Sequence, residues 1–126
     1  MVDVEHCSGI GQLDLRLVSD HEAVIQEYKR IKLTKKDKDS GYGGSQRKRL
    51  TKAAEKGLGQ IEIKGYRTQL PDQVTKLREF GIAFLGPYCA IVGHSLKREP
   101  GGEWRIRKVY NAERNERHRD RLYHAS

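Results

Sequence analysis

Leucines at alternate positions near the start of the chain restrict its fold more than any other feature. Leu13, Leu15 and Leu17 are separated by single polar residues, and this period of two predicts a strand with one buried face. Residues 23–31, which follow the polar segment 19–22, are rich in β-branched and aromatic side chains and predict a second strand. Because the connection is short, we expect the two strands to form an antiparallel hairpin.

The rest of the chain combines helical and extended patterns. Residues 32–46 are basic and glycine-containing and lack apolar periodicity, which predicts a basic flexible loop. Apolar residues near helical spacing predict a helix over 45–66. Pro71 and Gly81 suit the start and the end of a short second helix. Further strands are predicted over 82–85, 88–96 and 104–110, and a charged C-terminal helix over 111–126.

These elements predict one α/β domain over residues 1–126, with a mixed β-sheet that the antiparallel hairpin begins and that helices flank. A chain of 126 residues with a third of them charged has room for a single small core. The oligomeric state is left open, with a homodimer as one alternative. It is also left open whether the chain is a fragment of a larger parent protein.

The charge of the chain points to an anionic partner. Its formal net charge is +8, and nucleic acid is the commonest partner of a small basic domain. No segment has the apolar length or amphipathic character of a membrane element. The two cysteines are far apart and without metal-ligand spacing. Because the sequence shows no charged-then-apolar leader and no lipidation motif, we expect an intracellular protein, cytoplasmic or nuclear. His94, at a predicted strand end, is expected to have a structural or hydrogen-bonding role.

Polar residues of the hairpin can form a metal site. In an extended strand Glu27 and Lys29 point to the same face, and pairing across the turn can bring Asp14 beside Glu27. Two carboxylates are hard oxygen ligands suited to Mg²⁺ or Mn²⁺, and a nearby lysine can orient water or stabilise developing charge. A solvated strand face with surface ion pairs gives the same pattern, so the pattern alone does not decide.

The setting of these residues resembles the PD-(D/E)XK nuclease superfamily. Residues 11–15 and 24–29 are similar to its catalytic strands, in which a glycine-flanked strand with Asp precedes an apolar strand ending in Glu-x-Lys. Residues 53–66 resemble the helix that follows in nuclease-like domains attached to some AAA-type ATPase-like proteins and, more distantly, in RecB-type nucleases. Residues 81–84 and 89–93 resemble later core strands, so the resemblance spans roughly residues 9–96.

The resemblance implies a restriction-endonuclease-like core and Mg²⁺-dependent hydrolysis of phosphodiester bonds in nucleic acid, with DNA favoured over RNA. It makes Asp14 and Glu27 metal ligands, and Asp14, Glu27, Lys29 and Gln60 the catalytic residues. Tyr66 would lie near the substrate, and the basic clusters after the catalytic strand would hold the nucleic-acid backbone. The predicted nucleic-acid-binding residues are Lys35, Lys36, Arg47, Lys48, Arg49, Lys52 and Tyr66.

The sequence departs from the family pattern in three ways. The basic segment 32–46 makes the connection between the Glu-x-Lys strand and the helix unusually long, which affects the alignment of Gln60. Leu13 stands where the proline of the family name would precede Asp14. No helix that could supply a further acid is predicted before this strand, where Glu5 is the acidic candidate. The alternative function is a catalytically inactive nuclease-fold domain that binds nucleic acid or assembles with proteins. A third hypothesis is a basic surface that contacts an acidic protein partner.

Overall fold

A mixed six-stranded sheet, whose strand order follows the chain, forms the body of the protein. The computed structural model describes residues 2–7 and 12–115, with only the backbone described for 2–7, 12–14, 40 and 113–115. Two helices and a short 3₁₀ helix (Tyr66–Gln69) connect the third strand to the fourth. The elements are β1 (Val2–Cys7), β2 (Gln12–Val18), β3 (Glu22–Ile31), α1 (Lys35–Ser40), α2 (Gly44–Ile63), β4 (Lys76–Leu85), β5 (Tyr88–Arg98) and β6 (Trp104–Asn115).

The antiparallel hairpin predicted from the alternating leucines is present as β2 and β3, with Leu17 opposite Val24. Along β3, Ala23 and Ile25 are buried while the intervening Val24 is partly exposed. This alternation arises because one face of the strand lies beneath α2 and the other does not. The predicted fold class, an α/β domain with a mixed sheet and flanking helices, is confirmed.

Helix α2 is the crossover that makes β3 and β4 parallel neighbours, whereas the other neighbouring strands pair antiparallel. Its buried residues Leu50, Ala54, Gly57 and Ile61 recur at helical spacing and form one face against the sheet. The helix approaches the sheet closely at Gly81 of β4, where an added Cβ would lie 1.9 Å from the Ala54 carbonyl oxygen. The helix can therefore rest on the sheet only because this position has no side chain.

Part of the segment predicted as a flexible loop over 32–46 is helical, so that prediction was wrong. The Thr34 hydroxyl accepts a hydrogen bond from the Asp37 N–H, and the Asp37 carboxylate accepts one from the Thr34 N–H, forming a capping box at the start of α1. Arg49 and Gln46 of α2 also donate to this carboxylate, at 2.6 and 3.3 Å. The hydrogen bond from the Thr34 backbone N–H is the main cause that lowers the pKa of Asp37. Burial opposes this effect and the side-chain hydrogen bonds add to it, so that the pKa falls to about 2.

Two further predictions were wrong, and one strand was not predicted. The predicted helix between Pro71 and Gly81 is absent, because β4 begins at Lys76 and buries Leu77 and Glu79 on its α2-facing side. Residues 111–115 continue β6 rather than begin a helix, and residues 116–126 lie outside the described part. The sheet also has a strand, β1, ahead of the hairpin.

Within the described residues, no helix combines the length and the apolar character that crossing a membrane would require.

Candidate active site

Glu27, in the middle of β3, is a buried carboxylate with a cationic partner. Its side chain is 0% exposed beneath α2. Lys64, the residue that caps the C-terminus of α2, donates from Nζ to both Glu27 carboxylate oxygens, at 3.0 and 3.3 Å. Burying a carboxylate costs several kcal/mol unless a partner offsets the lost hydration, and the Lys64 ammonium supplies that compensation.

Lys29 lies two residues further along the same strand and contacts the same helix. Its Nζ donates to Gln60 Oε1 at 2.7 Å, and both side chains are partly buried. An added Cβ on Gly57, one helical turn before Gln60, would lie 3.5 Å from Lys29 Cγ. The aliphatic stem of Lys29 is therefore confined against α2 while its ammonium is fixed by the amide oxygen.

The two contacts lie side by side because the strand and the helix have matching repeats. Two residues along a strand span about 6.6 Å, and four residues along a helix span about 6.0 Å. Glu27 and Lys29 are two apart and Gln60 and Lys64 are four apart, on elements that run in opposite directions. We refer to these four residues, Glu27, Lys29, Gln60 and Lys64, as the strand–helix cluster.

The backbone register arranges acidic residues in one row across three strands. Asp14 of β2 is the Cα partner of Glu27, and Glu5 of β1 is the Cα partner of Asp14. The side chains of Asp14 and Glu5 lie outside what the structure describes. Among the side chains that it does describe, no group of three His, Cys, Asp or Glu residues is placed to hold a metal ion.

A second buried carboxylate, Glu79 of β4, belongs to a separate cluster. Arg67 donates to it from Nε at 2.9 Å and from Nη2 at 2.7 Å, and His94 Nε2 lies 2.6 Å from Glu79 Oε1. Burial by itself raises the pKa of Glu79, but the hydrogen bonds with His94 and Arg67 and the charge of Arg67 lower it overall. This arrangement ties the 3₁₀ helix to β4 and β5 and gives His94 the hydrogen-bonding role predicted for it.

The basic residues predicted to bind nucleic acid lie on α1 and α2. Lys35 and Lys36 are exposed on α1, and Lys48 and Lys52 are exposed along α2. Arg47 and Arg49, also on α2, contact other residues of the fold. Arg49 binds Asp37 at 2.6 Å, and Arg47 lies 6.0 Å from the centroid of the Tyr42 ring.

Tyr66 does not fit its predicted role at the substrate. It is 7% exposed and packs in the core with Ile61 and Leu77, and the guanidinium of Arg16 lies 5.6 Å from its ring centroid. This burial leaves little of the Tyr66 ring for a nucleic acid to contact.

Lys64, Glu79 and Arg67 were not identified as site residues from the sequence. The spacing of the sequence could have suggested Lys64 as a site residue, because it follows Gln60 by four residues and so lies on the same helical face. Glu79 and Arg67 meet through the tertiary fold alone, and no local spacing connects them.

Comparisons of the chain with family models, curated proteins and solved structures give no match.

Proposed function

We propose that this chain is a metal-dependent nuclease with a restriction-endonuclease-like core. It would hydrolyse phosphodiester bonds in nucleic acid, with DNA favoured over RNA. The observation that carries the proposal is the contact of Lys29 with Gln60 beside the fully buried Glu27. A solvated strand face would leave the Glu-x-Lys pair exposed in surface ion pairs. Confining a carboxylate and an ammonium beneath a helix is costly, and such sites are commonly functional.

The donors on this face suit a hard divalent cation. Glu27 already holds a cationic group with both carboxylate oxygens, in the form of the Lys64 ammonium, and Asp14 is its backbone partner on β2. Asp14 and Glu27 would hold Mg²⁺ or Mn²⁺, ions that prefer carboxylate oxygens. When bound, such an ion polarises a phosphoryl oxygen and lowers the pKa of a bound water.

The remaining residues have separate roles in the proposed reaction. Gln60 accepts the Lys29 hydrogen bond and so fixes where the ammonium lies along β3. From that position Lys29 orients the attacking water or stabilises the charge that develops on the phosphate. Lys48 and Lys52, exposed on α2, supply backbone affinity that does not depend on base sequence.

A catalytically inactive nuclease-fold domain that binds nucleic acid is the second candidate. The Glu27–Lys64 ion pair favours it, because this pair compensates the buried carboxylate without a metal ion. Both candidates would bind nucleic acid through the exposed Lys48 and Lys52 of α2, so binding alone does not distinguish them.

Binding and turnover measured together test the proposal. We expect DNA affinity, followed by fluorescence anisotropy in EDTA, to fall linearly on a log–log plot against salt, because bound phosphates release counterions. Replacing both Lys48 and Lys52 with glutamine should reduce that slope by about 2, roughly one for each lysine that neutralises a phosphate. Adding Mg²⁺ should start cleavage of the same DNA, and excess EDTA should stop it.

The control is a Lys56→Gln variant, since Lys56 is also exposed on α2 but is not among the predicted binding residues. Salt-dependent binding with no Mg²⁺-dependent cleavage would select the inactive binding domain. Absence of salt-dependent binding would contradict both candidates.

A further inference from the structure

We infer that Lys64 is the resident counter-cation of Glu27, which a divalent metal ion must displace, so that Lys64 sets the metal affinity of the proposed site. The inference rests on the proposed function, because it requires Glu27 to be a metal ligand. It assigns Lys64 a positioning role on Glu27, separate from the role of Lys29.

The position of the Lys64 ammonium carries the inference. Its Nζ lies 3.0 Å from Glu27 Oε1 and 3.3 Å from Oε2, which places it between the two oxygens. A carboxylate that binds a metal directs the same lone pairs at the ion, at about 2.0–2.6 Å depending on the metal. An ammonium and a divalent cation at one buried carboxylate repel each other strongly, because little water screens them.

The surroundings of Lys64 allow its ammonium to move away from the Glu27 carboxylate. Its side chain is 30% exposed while that of Glu27 is 0% exposed, so the Lys64 side chain reaches solvent whereas the carboxylate does not. Lys64 also stands at the C-terminal end of α2, where the helix dipole and the last carbonyls favour a cation. The displaced ammonium therefore moves to a second environment that stabilises it.

Competition of this kind has a measurable consequence for metal binding. Replacing Lys64 with glutamine removes the competing charge, so we expect Lys64→Gln to bind Mn²⁺ at least about tenfold more tightly than the wild type. That factor corresponds to about 1.4 kcal/mol. Lys64→Arg keeps the charge and should remain within about threefold of the wild type. The readout is Mn²⁺ binding by electron paramagnetic resonance or calorimetry, without nucleic acid.

Glu27→Gln is the control that separates this inference from the proposed function. If the wild type binds Mn²⁺, Glu27→Gln abolishes binding and Lys64→Gln binds no more tightly than the wild type, the role of Lys64 is overturned while the metal site stands. If neither the wild type nor Lys64→Gln binds Mn²⁺, the metal site itself fails, and the role of Lys64 fails with it.

A second measurement needs no substitution and so is independent of whether a variant folds. In the wild type, Mn²⁺ should increase the rate at which an amine-specific reagent modifies Lys64, by at least about threefold, because the ammonium moves from Glu27 toward solvent. Lys56, exposed on the same helix, is the internal reference in the same peptide map. An unchanged or slower modification of Lys64 at saturating Mn²⁺ would overturn the inference.

Discussion

Replacing Lys29 with methionine is expected to reduce the rate of Mg²⁺-dependent DNA cleavage by about 100-fold or more. Methionine keeps most of the aliphatic stem that packs against Gly57 but removes the ammonium that donates to Gln60. Loss of one preorganised group that stabilises transition-state charge typically costs about 10²–10³ in rate. The measurement is the single-turnover cleavage rate at saturating Mg²⁺.

The matched control for Lys29 is Lys56→Met, which removes an exposed ammonium from α2 and should leave the rate within about twofold. In Lys29→Met, the Gln60 amide oxygen loses a partner, at a cost of about 1–3 kcal/mol in stability. Urea unfolding of both variants therefore establishes whether a reduced rate reflects impaired chemistry or an impaired fold. A folded Lys29→Met variant that cleaves as fast as Lys56→Met would contradict the role given to Lys29.

Replacing Gly81 with alanine is expected to lower the free energy of unfolding by about 3 kcal/mol or more. The new Cβ would lie 1.9 Å from the Ala54 carbonyl oxygen and 2.6 Å from the Leu58 amide nitrogen. Both atoms belong to the backbone of α2, so the clash cannot be relieved by a side-chain rotation and the helix has to move off β4. Overpacking of this kind usually costs about 1–3 kcal/mol, and more where the backbone must shift.

The control is Gly59→Ala on the same helix, where an added Cβ meets nothing within 4 Å. Alanine there should raise the free energy of unfolding by about 0.5–1 kcal/mol, because glycine is the poorer helix former. Chemical denaturation measures both effects. Similar stabilities of the two variants would contradict the close helix–sheet contact at Gly81.

Local sequence patterns predicted the elements whose side-chain periodicity follows directly from the burial of one face. The alternating leucines of β2 and the β-branched run of β3 identified the hairpin, since burial of one strand face produces a period of two. The start of β4 was missed because Pro71 and Gly81 have a second interpretation as helix boundaries. Gly81 is instead a point of close backbone contact, which depends on where α2 lies.

The candidate site was predictable to a smaller extent. Asp14 and Glu27 were expected to be neighbours, and the register pairs their backbones. The resemblance suggested Gln60, and Lys29 donates to it. The Lys64 contact with Glu27 and the Arg67–Glu79–His94 cluster depend on the packing of α2 and the 3₁₀ helix against the sheet. No spacing in the sequence determines that packing.

The most direct test of the proposed metal site compares Mg²⁺-dependent cleavage by the wild type and by Asp14→Ala, because Asp14 is the proposed metal ligand paired with Glu27 in the sheet. We predict that the wild type cleaves DNA with Mg²⁺ and stops in EDTA. Asp14→Ala, with an unfolding transition like that of the wild type, should leave the DNA intact at every Mg²⁺ concentration. Cleavage by Asp14→Ala at the wild-type rate, with the same Mg²⁺ requirement, would contradict the metal site.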